Sequence, residues 1–477
     1  MPIDREFQDE KDIPEPFKVK NWKDYFKFLI GPGIIALGLG LGTGELVSTP
    51  FLIVGYGPLL LWVALVSIIL QTSTAITASK YTILTGEPFQ IGLNRIGNKK
   101  LLTVVWVILG TISTVFPYYP ALLGLTFVAL IMNTVPIFPD NQMLYIIMTI
   151  IALAITIIPL LLGKKVMRTL GMMFFLIHFC LIIPLFAILT LLIVPFDIII
   201  KVFLGFFAFG TIPSDANFLA LGAVAGFAGL AASAGMSISM YYRDTGWGMA
   251  KLLGHIPGAI GGEKSQFQVK GFKPKVDAAN MKKAKIWFKY IKLELIGLFF
   301  FGSIITMLFP VALNYYLVDS SAATENTFGF TAVLANNIAN YLPFGWLLIL
   351  FMLAAVFFAD GSGVIDGLMR QFANILWNAF PSLNKRFEGD VRPVYYGILG
   401  VFIIIWILMV IFGPAPVEMV LYAGSLANIG GIIFALGLLF VHFYILPKEY
   451  RFSLFEIIIV LISIIFYGFF LVAAFLF

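Results

Sequence analysis

The sequence predicts an all-α polytopic membrane protein of eleven transmembrane helices, arranged as two inverted five-helix units with helices one and six broken. Three observations predict it. The 477 residues are 60% hydrophobic and 12% charged, with a mean hydropathy of +0.98, whereas a soluble domain carries about 25% charged residues. Apolar stretches of the roughly 20 residues that cross a bilayer recur along the chain. Of the 31 Lys and Arg residues, 30 fall in alternate connections between those stretches, the bias that marks cytosolic loops.

In chain order, the spans are expected near 28–54, 58–80, 102–133, 143–163, 169–194, 216–241, 294–317, 344–368, 393–413, 417–446 and 453–476. The domains follow as a cytosolic tail at 1–27, a first five-helix repeat at 28–194, a second at 195–446, and an eleventh helix at 447–477. The tail carries Asp4, Glu6, Asp9, Glu10, Asp12 and Glu15, which does not read as a signal peptide. Pro117 and Pro120 interrupt the third stretch, which reads as one tilted, kinked helix or as a re-entrant pair; the first is expected. The cationic stretches are 1–27, 80–101, 164–168, 243–292, 370–392 and 447–452; between them stands only Lys201. This places the N-terminus in the cytosol and the C-terminus outside the cell membrane. Lys164, Lys165 and Arg168 fit a cytosolic turn. In the loop 243–292, GHIPGAIGGEKSQ precedes MKKAKIWFKYIK, which reads as an amphipathic helix lying on anionic lipid.

The first span is the stretch around which the rest is organised. It reads GPGIIALGLGLGTGELVSTP from Gly31 to Pro50, with Gly38, Gly40, Gly42 and Gly44 alternating and Glu45 next. Each glycine weakens a helix by about 1 kcal/mol relative to Ala. Backbone opened at membrane depth is buried in protein or lines a wet cavity, so a broken apolar helix ending in a carboxylate is a site candidate. The sixth span, LGAVAGFAGLAASAGMSISMYY, repeats that composition with Gly222, Gly226, Gly229, Gly235, Ser233 and Ser237. Five is an odd spacing, so the second unit enters from the opposite side. Small residues also serve close helix packing, but paired interruptions in two halves point to a transport site.

Span eight carries Asp360 and Asp366 in FFADGSGVIDGLMR. Asp366 and Arg370 stand four residues apart and can pair on one face. Asp360 has no such neighbour on its helix, which makes it the better candidate for proton coupling. Glu45 is read as a site carboxylate, or alternatively as a cap on a half-helix amide. Arg243 and Asp244, just past span six, read as a cytoplasmic-edge pair or gate.

Other chemistries are excluded by what the sequence lacks. Cys180 is the only cysteine, so neither a disulfide within the chain nor a Cys-based metal cluster is available. His178, His255 and His442 lie far apart, and no Walker motif marks a pump. No cofactor and no nucleic-acid partner is implied. Asp360 and Asp366 are six residues apart, about 600° of helical rotation, so they project oppositely and do not make an aspartyl protease pair.

GPG (31–33), eight residues, and a four-residue break at Gly42, Thr43, Gly44 and Glu45 resemble the first helix of the Nramp (natural resistance-associated macrophage protein) transporters of the APC superfamily. The span-eight segment AAVFFADGSGVIDG, the eleven spans and the cytosolic N-terminus are similar too. Of the family's Asp-Pro-Gly-Asn break only Gly44 is kept. Its Met-Pro-His would fall near Ala232 to Met236, where Ser233 or Ala234 takes the Met position. The resemblance implies a LeuT-like five-plus-five fold and a metal-transporting activity.

Without a thioether, the site would be all oxygen, suiting Mg²⁺, Mn²⁺ or Na⁺ over softer ions. A proton-coupled divalent-cation transporter is the first functional expectation. Glu45 and Thr43 are its metal ligands, with Gly42 and the stretch Ala231–Ser233 beside them and Met236 close by. Glu45, Asp360 or Asp366 carries the proton. The alternative is a Na⁺- or H⁺-coupled symporter of a small organic solute such as an amino acid, its carboxylate on the half-helix N-termini. The chain is expected to be a monomer among membrane lipid.

Overall fold

The computed structural model describes residues 7–18, 21, 24, 32–95, 101–161, 166–233, 235–253, 270–325 and 328–476. Gly31, Lys164, Lys165, Ala234 and the segment GHIPGAIGGEKSQ with His255 lie outside the described residues. Among those described, ten helices are long and apolar enough to cross a membrane. The sixth span, expected to be broken, is two shorter helices, Phe218–Phe227 and Gly235–Asp244.

Span one (Pro32–Tyr56) is wholly buried, whereas about a third of spans five (Thr169–Ile193), nine (Arg392–Phe412) and eleven (Leu454–Leu476) is buried. The glycine-rich helix therefore runs through the centre and the more uniformly apolar ones lie at the periphery. It breaks where the glycines predict. The helix Pro32–Gly40 ends, Leu41 N–H reaches back to Leu37 O at 3.0 Å, and the chain resumes in a wide π turn at Gly44–Ser48.

Two expectations are corrected. Span three is not one kinked helix. Helix Leu101–Thr111 passes into a 3₁₀ turn at Ile112–Val115, and a new helix starts at Tyr118. Phe116 is extended, at φ −82° and ψ 126°, because the ring of Pro117 disfavours a helical residue before it. The Lys-rich segment is not a separate helix lying on the surface. It is the first half of span seven, a continuous helix from Ala278 to Leu317. Nothing between Ala278 and Ile296 breaks it, and Asp277 caps its start by accepting from Asn280 N at 2.8 Å. Its 40 residues span about 60 Å, twice a bilayer core, so the apolar half alone is long enough to cross one.

The N-terminal tail is strapped to this helix. Strand β1 (Gln8–Lys11) pairs in parallel with β2 (Phe272–Pro274). Asn280 Oδ1 accepts from Ile13 N at 2.8 Å, and Trp287 Nε1 donates to Pro14 O at 3.0 Å. Asp12 accepts from Asn280 Nδ2 and from Lys275 Nζ, each at 3.0 Å. Docking holds its carboxyl below the ordinary aspartate range, chiefly through the Asn280 hydrogen bond and then through Lys275. A group whose pKa falls on docking supports the docked state above its free value and loses that support as pH falls through the docked value. The strap is therefore expected to loosen below about pH 4, the free aspartate value. Hydrogen exchange at Gln8–Asp12, corrected for intrinsic rates, should show protection falling there; unchanged protection would contradict it.

Candidate functional site

Where the two broken spans meet, a cavity of about 70 Å³ opens, lined by Thr43 and Gly44 of span one and Leu230, Ala231 and Ser233 of span six. That is room for several waters. The interruption of span three adds Ser113, Thr114, Tyr118 and Tyr119, and span eight (Gly345–Ala379) adds Gly363, Gly367 and Gln371. The sequence-predicted Thr43, Ala231 and Ser233 are thus brought together. Tyr119 OH accepts from Thr43 N at 3.5 Å, and Gln371 Nε2 donates to Ser237 Oγ at 2.7 Å. Among the described residues, the polar lining consists of hydroxyls, backbone and one side-chain amide, with no carboxylate on it.

Glu45 does not line this cavity. Fully buried, it turns behind the wall, and its Oε1 accepts from Gly229 N at 2.8 Å. This is the capping geometry weighed from the sequence. Gly229 has φ +82°, a conformation open to glycine, which is how the break of span six aims its amide at span one. The next amide, Leu230 N, donates to Gln71 Oε1 at 2.7 Å, and Gln71 Nε2 donates to Ser67 Oγ at 2.9 Å. Glu45 Oε2 has no hydrogen-bond partner among the described residues. Gly44 makes the approach of the two spans possible: a Cβ there would collide with the Phe227 carbonyl. Gly42 lies just off the cavity, against Tyr119 and Asp360. Met236 is buried beside Gly110, also off the cavity.

Asp360 and Asp366 sit in separate surroundings. Asp360 is fully buried, and its Oδ1 lies 2.9 Å from His178 Nε2 of span five. Tyr119, which lines the cavity, lies close to Asp360, and Asp360 and Glu45 are close enough to interact electrostatically. Asp366 Oδ2 accepts from Arg370 Nε at 2.6 Å, and its Oδ1 accepts from Tyr395 OH at 2.8 Å. Arg370 also donates to Asp244, which Arg243 Nη1 approaches at 3.3 Å. The two pairs expected from the sequence therefore form one buried network joining span eight to the end of span six. Among the described residues, no group of three or more His, Cys, Asp or Glu side chains gathers into a metal cage. A cation here would meet neutral oxygens and keep part of its water.

Sequence reasoning missed Gln71, His178 and Glu294. Glu294, on span seven, accepts from Gly33 N at 2.8 Å and from Tyr242 OH at 2.6 Å, tying the start of span one to the end of span six. His178 is a lone polar residue within an apolar run, which was the available signal; Gln71 opens the polar run QTST and Glu294 follows Lys292, so neither stood out.

Paired broken helices around a central cavity, within a bundle of membrane-crossing length, define a multi-pass membrane protein of the LeuT-like transporter fold. A manganese transporter of Eremococcus coleocola, in complex with an aromatic bis-isothiourea substituted compound, superposes with a TM-score of 0.58 at 11% identity, over 98% of this chain and 89% of that one. A mutant of that transporter gives 0.58 at 12% identity over the same shares. A nucleobase-cation-symport-1 family transporter, closed on bromovinylhydantoin, gives 0.52 at 15% identity over 94% and 90%. What is shared at these identities is the fold. No protein-family model and no curated protein matches the sequence.

Proposed function

We propose that the chain is a proton-coupled secondary transporter of a divalent metal cation, a divergent relative of the Nramp transporters. The observation that carries this is the hydroxyl-lined cavity at the meeting of the two breaks, with buried Glu45 and Asp360 set behind its wall. Thr43 and Ser233 hydroxyls hold a partly hydrated Mn²⁺ or Mg²⁺, and the two carboxylates supply the negative field that neutral ligands lack. Asp360 and His178 take up the coupling proton. Binding then rocks one repeat against the other. The Arg370–Asp244 network and the Glu294 contacts hold the cytosolic side closed, with the N-terminus in the cytosol and the transporter a monomer.

Uptake of Mn²⁺ and Mg²⁺ into proteoliposomes, with and without an inward proton gradient, tests this reading. Gradient-stimulated uptake is expected. Glu45→Gln, which keeps an acceptor for Gly229 N, is expected to keep the melting temperature and lose most of the uptake. His178→Gln is expected to keep residual uptake and lose its stimulation by the gradient. Folded protein that carries neither ion would sink the proposal. An organic-solute symporter is the second reading, favoured by the absence of a carboxylate from the cavity lining. Stabilisation by an amino acid, with no effect of either metal, would select it.

A further inference from the structure

Lys285, Lys289 and Lys292 stand four and three residues apart on the helix Ala278–Glu294, so they stack along one of its faces. All three are exposed, and among the described residues no carboxylate pairs with any of them. Lys283, off this face, is by contrast paired with Glu15 at 2.9 Å. The face turns apolar without a gap, because Leu293, Ile296 and Phe301 are exposed directly beyond Lys292. Across from it stands Lys80 of span two, its ammonium 5.2 Å from the centre of the Phe288 ring and paired with Glu456. Between the two spans runs a groove of about 630 Å³ with this cationic mouth and these apolar walls.

The step from Lys292 to Leu293 marks a membrane surface: apolar side chains lie in hydrocarbon while ammonium groups reach headgroup level. A molecule matching the groove has the same division, an acidic headgroup on acyl chains. Free phosphate matches only the mouth and leaves the apolar walls in contact with nothing. We propose that this groove binds an anionic phospholipid, its phosphate held by Lys285, Lys289 and Lys292 and an acyl chain lying along Leu293, Ile296 and Phe301. The same helix carries Glu294, which is buried and bonded to Gly33 and Tyr242. The lipid therefore braces the helix that holds both broken spans at their cytosolic ends.

The test uses the full chain in nanodiscs of phosphatidylcholine with or without phosphatidylglycerol, followed by native mass spectrometry of retained lipid and by melting. Phosphatidylglycerol is expected to be retained over phosphatidylcholine and to raise the melting temperature. The triple variant Lys285→Gln, Lys289→Gln, Lys292→Gln is expected to lose both effects, while Lys385→Gln, exposed elsewhere, keeps them. Lys289→Gln alone, the fallback should the triple variant fail to fold, is expected to weaken retention about fivefold. Equal retention of the two lipids overturns the proposal, as does undiminished retention in whichever lysine variant folds. Inorganic phosphate that raises melting as much as the lipid assigns the mouth to free phosphate and also overturns it. None of these readouts depends on which solute is transported.

Discussion

Arg370→Met is expected to lower stability by about 3–5 kcal/mol, the usual cost of stranding a buried charge by removing its partner. Arg370 is 1% exposed and serves two carboxylates at once, Asp366 at 2.6 Å and Asp244. Methionine fills much of the volume but leaves both acids without that cation. Arg243 approaches Asp244 at 3.3 Å, beyond the reach of Arg370's bond to that acid, and Tyr395 supplies Asp366 with a single neutral hydrogen bond. Arg370→Lys is not expected to rescue the site, because an ammonium cannot span two carboxylates as the planar fork does. Thermal melting in detergent is the measurement, with Asp366→Asn added to the Met variant. The double variant should recover part of the loss, since the pair is in direct contact and the effects do not add. A Met variant melting within a degree or two of the parent would mean that the network holds nothing together.

Gly44→Ala is expected to cost about 1–3 kcal/mol or more and to abolish uptake. The added Cβ meets the carbonyl of Phe227, and backbone cannot rotate aside as a side chain can. The two breaks must separate, which pulls Gly229 N from Glu45 and deforms the cavity that both line. Gly55, eleven residues along the same span, is the control. A Cβ there meets only Ala323 Cβ, at 3.7 Å, so Gly55→Ala should be neutral or stabilise by up to about 1 kcal/mol through lost chain entropy. Similar melting of the two variants would show that the close approach of spans one and six is not required.

Much of the frame was legible because it is written in composition and periodicity. The break at Gly42 to Glu45, the glycine-rich interruption of span six, and the Asp366–Arg370 pair all depend on neighbours in sequence. The direction of Glu45 was not legible, because the turn at Gly44–Ser48 decides whether the side chain faces the cavity or Gly229. The partner of Asp360 was not legible either: His178 lies in the other repeat, and nothing local ties the two together. The same holds for the bridge from Arg370 to Asp244, which exists only because spans six and eight end side by side. The continuity of span seven was available in the unbroken helix-forming stretch from Ala278 to Ile296, but its lysines drew it out of the span.

The pairing of β1 with β2 also sets an order of assembly. Gln8 must wait for Phe272, and at ribosomal speeds of about 5–20 residues per second that is a delay of tens of seconds. Span one and its neighbours thus enter the membrane while the tail is still without its strand partner. Glu294, which holds Gly33, emerges later still. The first half of the protein is therefore made in an unfastened form, and the fastening comes from the second half. A nascent chain halted before residue 270 would hold the first repeat and both halves of span six with neither β2 nor Glu294 to close them, a form open to proteases and to insertion quality control.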